Sequence, residues 1–96
     1  MTKKQMVCQN IAQVAQAVMI NHNFGTDVYK CVLANGFQSG GTNPIVDADC
    51  ADFGFTAAQF NSFWSCFTRL QTVINNGTVG TAVDGSACCN AVRGDI

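Results

Sequence analysis

Between Thr56 and Gly77 apolar side chains return every three or four positions, at Phe60, Phe63, Trp64, Phe67, Leu70 and Ile74. That spacing gathers them on one side of an α-helix and predicts one over about 57–75. Thr56, with Gln59 three residues on, is a capping-box pair at its start. Asn75-Asn76-Gly77 supplies left-handed-tolerant residues where it should stop. A second stripe, Val7, Cys8, Ile11, Val14, Ala15, Val18 and Met19, predicts a first helix over about 3–22, with Thr2 and Gln5 as its own capping pair.

The remaining segments are shorter. Asn21 to Gly25 reads as a turn. Thr26 is then placed to cap a helix through DVYKCVLAN, ended by Asn35-Gly36, with Val28, Cys31 and Val32 inward and Leu33 beside them. Residues 36–46 hold Gly-Gly and the only proline, which predicts a loop. Asp47 should cap one turn carrying Cys50 and Phe53. GTVGTAVDG is a second loop in which TVGTAV could run extended. Ser86 should cap a last turn or two, closed by Gly94. The expected fold is a single all-α domain over 1–96: two longer helices (about 3–22 and 57–75) plus two or three short ones.

Composition narrows the classes of partner. Hydrophobic residues make up 48% of the 96, enough to build a core and too many for a disordered chain. Charged residues are only 11%, about half the usual share for a soluble domain, and all six acids are Asp. The polar surface must therefore be mostly Asn, Gln, Ser and Thr, which offers little repulsion between copies. A net charge of −1 with five scattered basic residues argues against nucleic acid, which needs a basic face, and gives no polybasic signal for anionic membranes. No stretch approaches the ~20 apolar residues of a membrane span. Residues 9–20, studded with Gln, are not a signal-peptide core, so the chain reads as a mature form.

Cysteine is the strongest compositional signal. Cys8, Cys31, Cys50, Cys66, Cys88 and Cys89 form an even set that predicts three disulfides and a secreted, extracellular protein. No C-x-x-C pair exists, so neither a zinc site nor any other metal or cofactor is expected. If the first two helices fold back around residue 24, Cys8 and Cys31 are offset by about 13 Å along the axes at a rise of about 1.5 Å per residue. A disulfide needs Cα atoms within about 7 Å, so that pair is not expected to bond. Adjacent Cys88 and Cys89 should anchor the tail to two different elements, and Cys66 is a natural anchor for one of them.

Candidate chemistry is sparse. His22, the only histidine, lies in NHNFGTDVY, which resembles the H-D-F-G stretch of small secreted phospholipases A2 over about four residues. That resemblance implies a general-base His oriented by a carboxylate. Here Asn23 stands where the Asp would be, and the cysteine expected shortly before the His is absent. His22 is read instead as a helix-end residue interacting with the C-terminal dipole, and the chain as no enzyme. Asp47, Asp49 and Asp52 lack the glycine and terminal Glu of a calcium loop and read as caps. Asn76-Gly77-Thr78 is an N-glycosylation sequon. Elicitins resemble the chain in length, helix content and weak charge but lack adjacent cysteines. Saposin-like, odorant-binding and plant lipid-transfer proteins differ in cysteine spacing. The chain is assigned to none of them.

Three functions fit this pattern. One is an extracellular structural or interaction protein whose partner is itself or a matrix. Another is a carrier of small apolar ligands such as fatty acids or sterols, with Phe60, Phe63, Trp64, Phe67, Met6, Val18 and Met19 lining the cavity. The third is a secreted defence or effector protein. A packed core and a carrier pocket use the same residue types, so periodicity leaves them open.

Overall fold

In a computed structural model, which describes residues 1–77 and 82–94, both capping pairs close. Thr2 accepts a hydrogen bond from the Gln5 backbone N–H while the Gln5 side chain accepts one from the Thr2 N–H, and α1 runs Lys3–Val14. Thr56 and Gln59 repeat the exchange at the start of α4, Ala57–Asn76. Between them lie β1 (Met19–Ile20), α2 (His22–Asn35), α3 (Asp47–Cys50) and a 3-10 turn (Ala51–Phe53). After α4 come β2 (Val83–Asp84) and α5 (Ser86–Arg93). The fold is all-α, with one two-residue strand pair.

The first helix is shorter than its stripe. It ends at Val14, not near residue 22, because tertiary partners claim the following backbone. Met19 and Ile20 pair antiparallel with Asp84 and Val83, and the Gly85 N–H bonds to the Val18 carbonyl. The single Cys89 S–H lies within reach of the carbonyls of both Val14 and Ala17, and the Val14 carbonyl also accepts the Ala17 N–H in a tight turn. Ile20 is fully buried under Gly85, where any Cβ would lie 2.7 Å from its side chain. Helical periodicity through Val18 and Met19 carried no information about these distant partners.

The second helix is correspondingly longer. Asn21 is its N-cap, accepting from the Phe24 N–H at 2.8 Å, so α2 begins at His22 and not after Thr26. Gly25, read above as a turn residue, is a buried helical position facing α4. A Cβ there would stand 2.9 Å from Gln71 Oε1 and 3.1 Å from Ile74 Cδ1. Glycine costs about 1 kcal/mol in a helix, and here it lets the two backbones approach. Asn35-Gly36 ends α2 with Gly36 left-handed at φ 67°, and Gly94 closes α5 the same way at φ 79°. Gly77 ends α4 in an extended conformation instead of the expected left-handed one.

The core lies between α4 and the elements folded around it. Phe60, Phe63 and Phe67 are fully buried, and Trp64 is 8% exposed. Phe67 is the hub: Phe63 stacks on it at 5.6 Å, Phe24 meets it edge-on at 6.2 Å, and Trp64 tilts against it at 5.8 Å. Tyr29 stacks on Trp64 at 5.7 Å, tying α2 to α4. The stripe continues through Gln71, which is buried, while Leu70 is only partly so.

Two disulfides form instead of three. Cys8–Cys50 joins α1 to α3, and Cys66–Cys88 joins α4 to α5. Cys31 and Cys89 remain free thiols. Cys88 and Cys89 do reach different elements, but only Cys88 does so covalently, whereas Cys89 is held to the end of α1 through its S–H.

Candidate functional site

The aromatic face and the apolar residues grouped with it do not converge. Phe63, Trp64 and Phe67 pack against one another and against Phe24 and Tyr29 of α2, and Phe60 is fully buried in the same core, whereas Met6, Val18 and Met19 are about half exposed on the outside. Met6 contributes to a shallow groove of about 220 Å³ between α1 and α2, with Val7, Val28 and Cys31 on its walls and Lys3 and Asp27 at its rim. None of the four aromatics lines that groove.

Two of the three clustered aspartates bind backbone N–H groups. Asp47 Oδ1 accepts the Ala57 N–H at 2.9 Å, reaching across to the first turn of α4. Asp49 accepts the Val46 N–H at 2.9 Å and stands 3.8 Å from the Lys4 ammonium, which also donates to the Pro44 carbonyl. Carboxylates at exposed helix starts complement the partial positive charge there. Val46 therefore occupies the N-cap position of α3 expected for Asp47. Among the described residues no group of three or more His, Cys, Asp or Glu could hold a metal ion.

His22 sits at the first position of α2, not at a helix C-terminus. Its Nδ1 is shielded from solvent and finds no hydrogen-bond partner among the described residues, whereas a general base would have a carboxylate there to orient the ring. Asn76 is exposed at the last residue of α4, while Thr78 of its sequon lies outside the described residues, as does most of TVGTAV.

The two free thiols differ in surroundings. Cys31 is half-buried in the α1/α2 groove, and Asn35 Nδ2 donates to its carbonyl at 2.8 Å. Cys89 is buried, and that burial pushes its thiol pKa up; Arg93 opposes the shift and Asp84 adds to it. A protonated, shielded thiol is a poor nucleophile.

Another cleft lies on the opposite side of α4, away from the expected sites. About 490 Å³ in volume, it runs along the outer side of α4 where α5 begins, and Ser62, Ser65, Cys66, Arg69 and Ala87 line it with Asn61. Ser62, Ser65, Cys66 and Arg69 fall at i, i+3, i+4 and i+7, the same helical spacing as the aromatic stripe on the other side. That polar stripe was legible, but which cysteine would meet Cys66 was not. The cleft thus places the Cys66–Cys88 disulfide beside one cationic side chain, with no acidic residue among its walls.

No protein-family model, curated protein or solved structure matches the chain. Two disulfides fit an oxidising compartment, since such bonds rarely persist in a reducing cytosol. Among the described residues no helix is long and apolar enough to cross a membrane.

Proposed function

We propose that the protein is a small secreted interaction or structural component that associates with copies of itself or with an extracellular matrix. The observation that carries this reading is its outer surface. Met6, Val18, Met19, Leu33, Val46 and Val73 are each 44–55% exposed on a chain with only eleven charged residues, five basic and six acidic. Apolar side chains on a weakly charged surface gain area by association and meet little electrostatic opposition. The tight aromatic core favours this over the carrier reading, because Phe63, Trp64 and Phe67 of the expected cavity wall already contact each other while Met6, Val18 and Met19 lie apart from them on the outside. The groove that Met6 does line, at about 220 Å³, is below the roughly 300–1,000 Å³ of ordinary small-molecule pockets. No feature singles out a defence or effector role.

Sedimentation velocity on the oxidised protein, from micromolar to millimolar concentration, tests the proposal. Reversible dimers or larger assemblies, weakened by Met19→Lys or Leu33→Lys, are expected. A monomer throughout that range, with no retention on extracellular matrix from the source tissue or culture, would overturn it.

A further inference from the structure

The two disulfides are unequally protected. Cys8 and Cys50 are both fully buried, so no external sulfur can approach either one while the fold is intact. In the other bridge Cys88 is fully buried, but Cys66 is partly exposed and lies on the wall of the α4/α5 cleft. An attacking thiolate must reach a disulfide sulfur, and access decides which one it reaches. Of the four bridged cysteines, Cys66 is the one that lines the cleft. The leaving sulfur is then that of Cys88, the third residue of α5, where the helix N-terminus favours a thiolate and burial disfavours it. Asp84, which accepts from Ser86 in the same turn, opposes part of that effect.

The walls also discriminate among thiols. Arg69, one helical turn beyond Ser65 and Cys66, is exposed, and Asn61, Ser62 and Ser65 supply further hydrogen-bonding groups. A guanidinium beside neutral polar side chains suits a carboxylate. We propose that this cleft is a thiol-exchange site, in which a small carboxylate-bearing thiol docks against Arg69 and opens Cys66–Cys88 while Cys8–Cys50 stays closed. The incoming thiolate forms a bond to Cys66 Sγ, the Cys66–Cys88 bond breaks, and its electron pair leaves on Cys88 Sγ, which takes a proton from water. The product carries a mixed disulfide on Cys66 and a thiol on Cys88. A second equivalent of the same thiol attacks the outer sulfur of that mixed disulfide, releasing the oxidised small molecule and leaving Cys66 as a thiol. No other reactant is needed. The consequence is an α5 freed from its covalent tether, with Cys88 and Cys89 both reduced, still held to α4 by burial of Ala91 and Val92.

The test uses the full oxidised chain with Cys31 first blocked by iodoacetamide. It is exposed to limiting reduced glutathione or, in parallel, to neutral 2-mercaptoethanol, then acid-quenched, alkylated and mapped by peptide mass spectrometry. The expected result is glutathione on Cys66 and a new thiol on Cys88, with the Cys8–Cys50 peptide pair intact. Arg69→Gln should slow the glutathione reaction several-fold and leave the mercaptoethanol rate unchanged. Opening of Cys8–Cys50 at a comparable rate, a mixed disulfide on Cys88 instead of Cys66, or an equal effect of Arg69→Gln on both thiols would overturn the proposal.

Discussion

Truncating Phe67 asks directly whether the aromatic face of α4 is packed core. The ring is fully buried and has aromatic neighbours on three sides, from Phe24, Phe63 and Trp64. Phe67→Ala removes its transfer free energy and leaves a cavity that Phe63 and Trp64, themselves locked on the same helix, can only partly fill. Such a truncation costs about 3–5 kcal/mol, and the three lost ring contacts, each worth about 0.5–1.5 kcal/mol beyond area, place this site toward the upper end. A domain of this size has about 5–15 kcal/mol to lose, so the variant should fold but only just. Guanidinium denaturation of oxidised protein, followed by Trp64 fluorescence, is the assay. At an m of about 2 kcal/mol per molar, a loss of about 4 kcal/mol moves the midpoint down by about 2 M. Met19→Ala, on a half-exposed side chain, is the control and should shift stability by less than about 1 kcal/mol. If Phe67→Ala costs under about 1 kcal/mol, the ring borders empty or hydrated space and the packed-core reasoning fails.

Three further outcomes follow from the geometry. Replacing both members of Cys8–Cys50 by Ala should destabilise by about 4 kcal/mol and of Cys66–Cys88 by about 3 kcal/mol, since the loops closed span 42 and 22 residues; thermal melts of the two double variants would rank them. The Ser86 hydroxyl and backbone N–H hold the Asp84 carboxyl below its ordinary value, so its stabilising contribution is complete above the usual carboxylate pKa and is lost as pH falls through the lowered one. Asp84→Asn should therefore be less stable than the parent near neutrality and converge with it in strong acid, as read from denaturation midpoints across that range. Gln71 is 4% exposed; among the described residues its Oε1 has no partner and its amide donates to Asn75. Gln71→Met, which removes a buried polar group at nearly constant volume, should be neutral or raise stability by about 1 kcal/mol; a loss of that size would mean the oxygen has a partner.

Helix starts and stops that depend on nearby residues were legible from the sequence alone. Thr56 with Gln59, Thr2 with Gln5, Asn35-Gly36 and Gly94 all act through groups within one helical turn, and each marks its boundary as read. The aromatic stripe likewise placed α4 and its buried side, because a period of 3.6 residues is itself the geometry. Gln71 falls on the same line as Phe60, Phe63, Phe67 and Ile74, and the helix places its amide inward although it is polar.

Tertiary structure decided the rest. The end of α1 depends on β2 and Cys89, about seventy residues away in sequence, and no local pattern records that their groups capture the backbone from Val14 to Ile20. Gly25 has the same chemistry in a turn as in a helix contact, and only the approach of Gln71 and Ile74 chooses the contact. Six cysteines are an even number whatever they do; four pair because α1 meets α3 and α5 meets α4 with Cα atoms 5.3 and 5.4 Å apart, and two do not. The same long-range packing turned the aromatic stripe into closed core and left Cys66 at the edge of a cleft. Periodicity fixes which side of a helix is apolar, because that is set within a few residues; what covers that side is set by elements that meet only once the chain has folded.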